Sequence, residues 1–185
     1  VFASGSGLAQ YPERPIHLII PFPPGGGTDT IARLVAQKVS EKLGQPVVPE
    51  NRVGASGVIA SELVAKAPAD GYTLLVATTN HSSNPALMKN LPYDSVNDFT
   101  AISLLAEAPG LLVANSSVKF NTFPEFIAYA RKNADLNYAS PGVGTFPHLG
   151  MALLISRARL KMTHVPYKGA GPALMGIGVA DGDQR

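Results

Sequence analysis

Two five-residue strings carry the clearest chemical signal in this sequence: Pro24-Gly25-Gly26-Gly27-Thr28 and Pro141-Gly142-Val143-Gly144-Thr145. Each follows a short apolar run and precedes an amphipathic stretch, so each sits where a strand hands over to a helix. Glycine there allows a sharp turn and leaves no Cβ between backbone and ligand. The first amides of a helix lack intrahelical acceptors and carry the positive end of its dipole, which makes such a junction an anion site. The threonine closing each string is the expected N-cap. The plainer alternative is that both strings are only tight turns. Of the anions, polyphosphate fits poorly: a P-loop needs Lys-Ser/Thr after its last glycine, and here Thr28-Asp29 follows Gly27. The dinucleotide fingerprint G-x-G-x-x-G is absent too. A carboxylate beside Asp29 is easier to accommodate. Asp29 is either an acceptor for a hydroxyl or ammonium group on the ligand, or a first-turn acid facing the helix dipole.

A third segment, Thr78-Thr79-Asn80-His81-Ser82-Ser83-Asn84, leaves the third strand at the same carboxyl edge as the first glycine string. Ligands of open α/β sheets lie at that edge, so these polar side chains form either a cleft wall or a solvated loop. The four histidines are His17, His81, His148 and His164, and none has metal-ligand spacing to another His, Asp or Glu. His17 and His164 read as structural residues within strands, whereas His148, one turn after Thr145, is placed to reach a cleft mouth. Gly54-Ala55-Ser56-Gly57 misses the G-x-S-x-G nucleophile elbow. No catalytic residue, metal site or cofactor is expected.

The elements that position these residues follow from periodicity. Ile16 to Phe22 reads as a buried strand. Asp29 to Leu43 reads as a helix with Ile31, Leu34, Val35, Val39 and Leu43 at helical spacing, closed by Gly44 and Pro46. A strand over 46–50, a helix over 56–67 and a strand over 72–78 complete a parallel α/β unit with right-handed crossovers. Two apolar runs, 101–106 and 110–114, come next. Thr122-x-x-Glu125 is a capping box opening a helix to about Lys132. A strand over 137–139, a helix over 146–157 and a strand over 163–166 restart the rhythm. Two lobes are expected, 11–113 and 114–185, with a crossover near 111–116.

Composition narrows the class. The chain has 185 residues, 45% hydrophobic and 15% charged, with a formal charge of +2 and no cysteine. That describes a folded core without disulfides or thiolate zinc, and without the basic cluster a nucleic-acid surface needs. No apolar run reaches the ~18 residues of a membrane span. Residues 1–10 are uncharged, and Gly7-Leu8-Ala9 resembles a signal-peptidase site, so this stretch is expected to be a leader or the tail of a signal peptide.

Several further strings, in order, carry a family resemblance. They are Tyr11-Pro12-x-x-Pro15-Ile16, Pro21-Phe22-Pro23-Pro24-Gly25-Gly26-Gly27-Thr28-Asp29, Glu50-Asn51-Arg52 and Ala69-Asp70-Gly71-Tyr72-Thr73-Leu74. Leu91-Pro92-Tyr93-Asp94, Asn137-Tyr138-Ala139-Ser140 and His164-Val165-Pro166-Tyr167-Lys168-Gly169 continue them. Together, over about Tyr11 to Leu174, the chain resembles the Bug proteins, extracytoplasmic solute receptors of tripartite tricarboxylate transporters. The resemblance implies an α/β type II periplasmic-binding-protein fold, a two-lobed flytrap with parallel-rich mixed sheets. It implies a periplasmic, monomeric binding protein, not an enzyme, that passes a small organic carboxylate (a di- or tricarboxylate, aromatic acid or amino acid) to membrane subunits of the transporter. A ligand-sensing protein of the same fold feeding a signalling partner is the alternative, and a phosphate- or nucleotide-handling enzyme a remoter one. Carried onto this sequence, the ligand positions are Phe22, Pro24, Gly25, Gly26, Gly27, Thr28, Asp29, Thr78, Thr79, Asn80, Ser140, Gly142, Gly144 and Thr145. His148 joins them on its own spacing. The pattern fades from Met175 onward, so the second lobe is expected to be incomplete, its return segment to the first lobe missing.

Overall fold

Ile16, Leu18 and Ile20 alternate along β1 (Ile16–Ile20) and turn one face into the core, while Ile19 is buried on the other. In this computed structural model, which describes residues 11–179, β1 is the centre of a parallel three-stranded sheet. Its neighbours are β2 (Val47–Asn51), with Ile16 opposite Val47, and β3 (Thr73–Leu75), with Leu18 opposite Leu74. The expected leader, residues 1–10, lies outside the described residues. Parallel neighbours require crossovers. These are α1 (Gly27–Leu43) and a 3-10 turn at Ala55–Gly57 that runs into α2 (Val58–Ala65). The core joins Ile16, Leu18, Ile20, Val47 and Val76 to Ala32 and Ala36 of α1.

Three expectations shift here. The buried face of α1 is made by Asp29, Ala32 and Ala36, with Val39 packed beside it, while Leu34 is 60% exposed and Leu43 39% exposed. Methyl-sized side chains let the helix backbone lie close on the sheet, and the larger apolar residues are turned aside. The helix stops as its sequence indicates, with Gly44 at φ 69° and its N–H on the Ser40 carbonyl. The third strand is shorter than 72–78, and the polar segment after it is a helix, α3 (Thr79–Leu87). Asn80 and Asn84, four apart and therefore on one helix face, both donate Nδ2–H to the Ser56 carbonyl, at 2.9 and 3.2 Å. Their amides serve the interior, which a reading of polarity alone assigns to solvent.

The second half repeats the rhythm with α4 (Phe123–Lys132), β4 (Leu136–Ser140), α5 (Phe146–Ala158), β5 (Met162–Pro166) and α6 (Ala170–Val179). Strands β4 and β5 are parallel neighbours, with Leu136 opposite Met162 and Ser140 opposite Pro166. Phe126, Ala130 and Leu160 form a second core, against which Leu136, Leu154 and Met162 pack. Thr122 caps α4 by accepting from the Glu125 amide, and the Glu125 carboxylate reaches back to the Asn121 N–H. All strand pairs among the described residues are parallel. The segment 101–114, between the halves, has no regular structure and exposes Ile102 (78%) and Leu111 (84%).

Candidate functional site

The carboxyl ends of both sheets open onto one cavity of about 260 Å³. Four helices begin at its wall. Gly27 and Thr28 come from α1, Thr79 and Asn80 from α3, Phe146 and Pro147 from α5, and Ala170, Gly171 and Pro172 from α6. Proline fits a first turn because its fixed φ is helical and the N–H it lacks would be unpaired there anyway. The amides of Gly27 and Thr28 have no protein acceptor among the described residues, as expected for a first turn. No Asp, Glu, Lys, Arg or His lines the cavity. Its electrostatic character therefore comes from backbone: converging helix N-termini favour negative charge.

The two glycine loops are related by structure, but not in the alignment their letters suggest. In the first string α1 starts at its fourth residue, Gly27; in the second, α5 starts one residue past its end, at Phe146. The structural counterparts are thus displaced by two positions. Gly25 (φ 82°) matches Gly144 (φ 79°), and the N–H of each is taken by the side chain four residues on. Asp29 Oδ2 accepts from Gly25 at 2.9 Å, and His148 Nδ1 accepts from Gly144 at 3.1 Å. One architectural device is built with a carboxylate in the first half and an imidazole in the second.

This shift corrects three of the expected roles. The N-cap of α1 is Gly26, and Thr28 lies inside the helix. Thr145 does occupy the N-cap position of α5, yet its hydroxyl donates to the Gly142 carbonyl at 2.7 Å and does not cap an amide. Asp29 is 3% exposed and lies off the cavity, so neither a ligand acceptor nor a simple dipole acid describes it. Its carboxylate accepts from Arg33 Nε at 3.0 Å, Gly25 N–H and Asn51 Nδ2 at 2.8 Å. Asn51 Nδ2 also reaches the Phe22 carbonyl at 2.8 Å, tying the end of β2 to the start of the loop. The Arg33 hydrogen bond, aided by those of Gly25 and Asn51, holds the Asp29 carboxyl well below the usual carboxylate range despite burial.

Behind the second loop, Ser140 is fully buried, accepts the Gly142 N–H at 3.2 Å and meets His164 Nε2 at 2.7 Å. His164 is stacked between Tyr138, at 4.8 Å, and His148, at 4.2 Å. Burial, with the neighbouring imidazole of His148, pushes the His164 pKa down. His148 therefore packs under the loop and not at the cavity mouth. The halves touch at several glycines, with Gly110 against the Phe146 ring among them. A Cβ on Gly144 would stand 3.0 Å from Leu87 Cδ1, and one on Gly169 would stand 3.2 Å from Pro23 Cγ.

Ten of the expected positions border the cavity. Phe22, Pro24, Gly25, Gly26, Gly27 and Thr28 come from the first loop, Thr78, Thr79 and Asn80 from the start of α3, and Thr145 from the second loop. Asp29, Ser140, Gly142, Gly144 and His148 stand behind it. Pro23 and Pro141 lie within the two expected loops and also line the cavity, whereas reasoning from sequence overlooked Phe146, Pro147 and most of Gly169-Ala170-Gly171-Pro172. The last had a legible signal: glycine and proline immediately after a strand, the same punctuation that marked the two strings. Among the described residues, no cluster of His, Cys, Asp or Glu has the makings of a metal site.

Residues 31–182 match the family model for the tripartite tricarboxylate transporter family receptor. Protein BugT of Bordetella pertussis is 38% identical over 96% of this chain and 57% of its own length. A protein from the tcbD-tcbE intergenic region of Pseudomonas sp. strain P51 is 44% identical over 90% of this chain and 50% of its own. The chain thus spans about half the length of the curated relatives it matches. Among solved structures, Rpa4515 of R. palustris with adipate superposes with a TM-score of 0.87 at 38% identity, covering 90% of this chain and 56% of that one. MatC of Rhodopseudomonas palustris with bound malate gives 0.83 at 38% identity, over 90% and 57%. These likenesses give the fold: α/β, of the periplasmic-binding-protein type.

Proposed function

Because this chain belongs to the tripartite tricarboxylate transporter receptor family, we propose that it is the solute-binding part of a periplasmic receptor. It takes up a small organic carboxylate between its two lobes and presents it to the membrane subunits of the transporter. The observation that carries this reading is the neutral cavity at which four helices begin. Amides and hydroxyls supply the attraction for an anion, and no Asp, Glu, His, Cys or Lys lines the wall to act as a general base or metal ligand beside them. Capture is then binding and release with hinge motion, without chemistry on the solute. The structures solved with adipate and malate support a dicarboxylate as the first class to test.

The test is thermal and calorimetric titration of the chain with adipate, malate, tricarboxylates, aromatic acids, amino acids and nucleotides. A ligand selective for the folded state stabilises by RT ln(1 + [L]/Kd), about 2.7 kcal/mol at a hundredfold excess over Kd. Stabilisation by one or more carboxylates is expected. Stabilisation by nucleotides with no response to any acid would overturn the reading.

A further inference from the structure

The second glycine loop is joined to the first lobe by a single polar contact. Ser83 Oγ, on α3, donates to the Gly144 carbonyl at 2.8 Å, and this is the one direct hydrogen bond between 11–113 and 114–179 among the described residues. The surrounding contact is close but otherwise apolar or unsatisfied. Leu87 abuts Gly144, and Asn84 Oδ1, buried beside it, has no partner among the described residues. The same Gly144 residue is gripped from its own lobe, where its N–H is accepted by His148 Nδ1. An imidazole nitrogen accepts only while it carries no proton, unlike the Asp29 carboxylate that does the matching work in the first loop.

We propose that Ser83 and His148 are positioning residues that hold the Gly144 backbone as the latch between the lobes, and that the latch closes only while His148 is neutral. The proposal rests on the binding reading above for its consequence, that acid is held more weakly when the latch opens. The groups facing His148 do not substitute for it. His164 on β5 stacks on it and Tyr138 on β4 stacks on His164. α3 presents the uncharged Ser83, Asn84 and Leu87 to the loop, and no carboxylate pairs with His148 among the described ion pairs. On protonation, Nδ1–H points at the Gly144 N–H, two donors meet, and the backbone that Ser83 holds is displaced.

The experiment combines calorimetric titration with adipate and malate between pH 7.5 and 5.5 with an interlobe distance measured by spin labels. The chain has no cysteine, so labels at Lys38→Cys and Lys132→Cys, both exposed, report the lobes without background. Affinity is expected to fall about tenfold from the upper to the lower end of this range as the Gly144 N–H loses its acceptor. The ratio of wild type to His148→Asn, whose amide oxygen accepts without titrating, removes the ligand's own protonation from that slope. Ser83→Ala weakens binding about threefold to tenfold at pH 7.5 and broadens the distance distribution, and Ser83→Thr restores both. Equal affinity and equal distances for Ser83→Ala and wild type overturn the latch, as does an undiminished pH slope in His148→Asn. Should the wild type bind neither acid, the functional reading falls while the distances still decide the latch. Opening at low pH and in Ser83→Ala supports it, and unchanged distances refute it. Should a variant fail to fold, the wild-type distance against pH decides alone.

Discussion

Replacing Asp29 by alanine is the sharpest probe of how the first loop is held. The carboxylate is 3% exposed and accepts three hydrogen bonds, from Gly25 N–H, Asn51 Nδ2 and Arg33 Nε, at 2.8–3.0 Å. The losses are unequal. Arg33 is about half exposed and keeps Asn51 Oδ1 at 2.8 Å, so water replaces part of what it loses. Asn51 Nδ2 keeps the Phe22 carbonyl. Only Gly25 loses its sole protein partner, and the α1 first turn loses its negative charge. A charge-assisted hydrogen bond contributes about 1.5–3 kcal/mol and a first-turn acid about 0.3–1, so Asp29→Ala is expected to cost about 2–4 kcal/mol of unfolding free energy. Asp29→Asn, keeping one acceptor without the charge, costs about half as much. Urea unfolding of both variants with unchanged m-values measures this. Acid adds a sign check. The folded-state pKa lies below the unfolded value, so the Asp29 contribution is fully present above about pH 4 and is lost as pH falls through the folded pKa. The gap between wild type and Asp29→Asn must therefore be flat from pH 8 to about 5 and narrow only in strong acid. A cost for Asp29→Ala below about 1 kcal/mol, or a gap that varies near neutrality, would refute the clamp.

Three further outcomes follow from the same geometry. Ile20→Ala empties a fully buried position at the centre of the first core and is expected to cost about 2–5 kcal/mol in urea unfolding. Thr145→Val removes the donor to the Gly142 carbonyl, which Ser140 Oγ still meets at 3.1 Å, so the loss is about 0.5–1.5 kcal/mol, read as stability and as weaker adipate binding. His164 is held neutral by burial, so its folded pKa lies below the unfolded one. Its contribution is present above the unfolded value near 6.5 and is lost as pH falls toward the folded pKa, and thermal scans of wild type against His164→Asn from pH 8 to 5 should show the two converging in acid.

The strand–helix–strand rhythm was legible because parallel sheets covered by helices write themselves as short apolar runs between periodic stretches. Gly44 and the Thr122–Glu125 box were readable for the same reason, being local. What resisted reading depends on partners distant in sequence. Asp29 is a cleft residue by position and a buried clamp only once Asn51 is beside it. Asn80 and Asn84 look like solvated polar residues until Ser56 supplies the carbonyl that both bind. The repeated string located both loops correctly but misled about their equivalence, because helix start is decided by the side chain that reaches back, Asp29 or His148, and not by the glycines. That difference between a carboxylate oxygen and an imidazole nitrogen was visible as a residue type, yet its role was not.

Of the eighteen residues around the cavity, five are glycine and five are proline. Glycine has no side-chain torsion to lose and proline essentially none, so most of this wall has no rotamers to freeze when a guest arrives. A receptor walled by charged side chains must still order them around each ligand. In the proposed receptor the ordering is done when the chain folds, which leaves the entropy given up on binding to the relative freedom of the proposed lobes. Affinity should then respond more to changes at the contacts between lobes than to conservative changes in the wall itself.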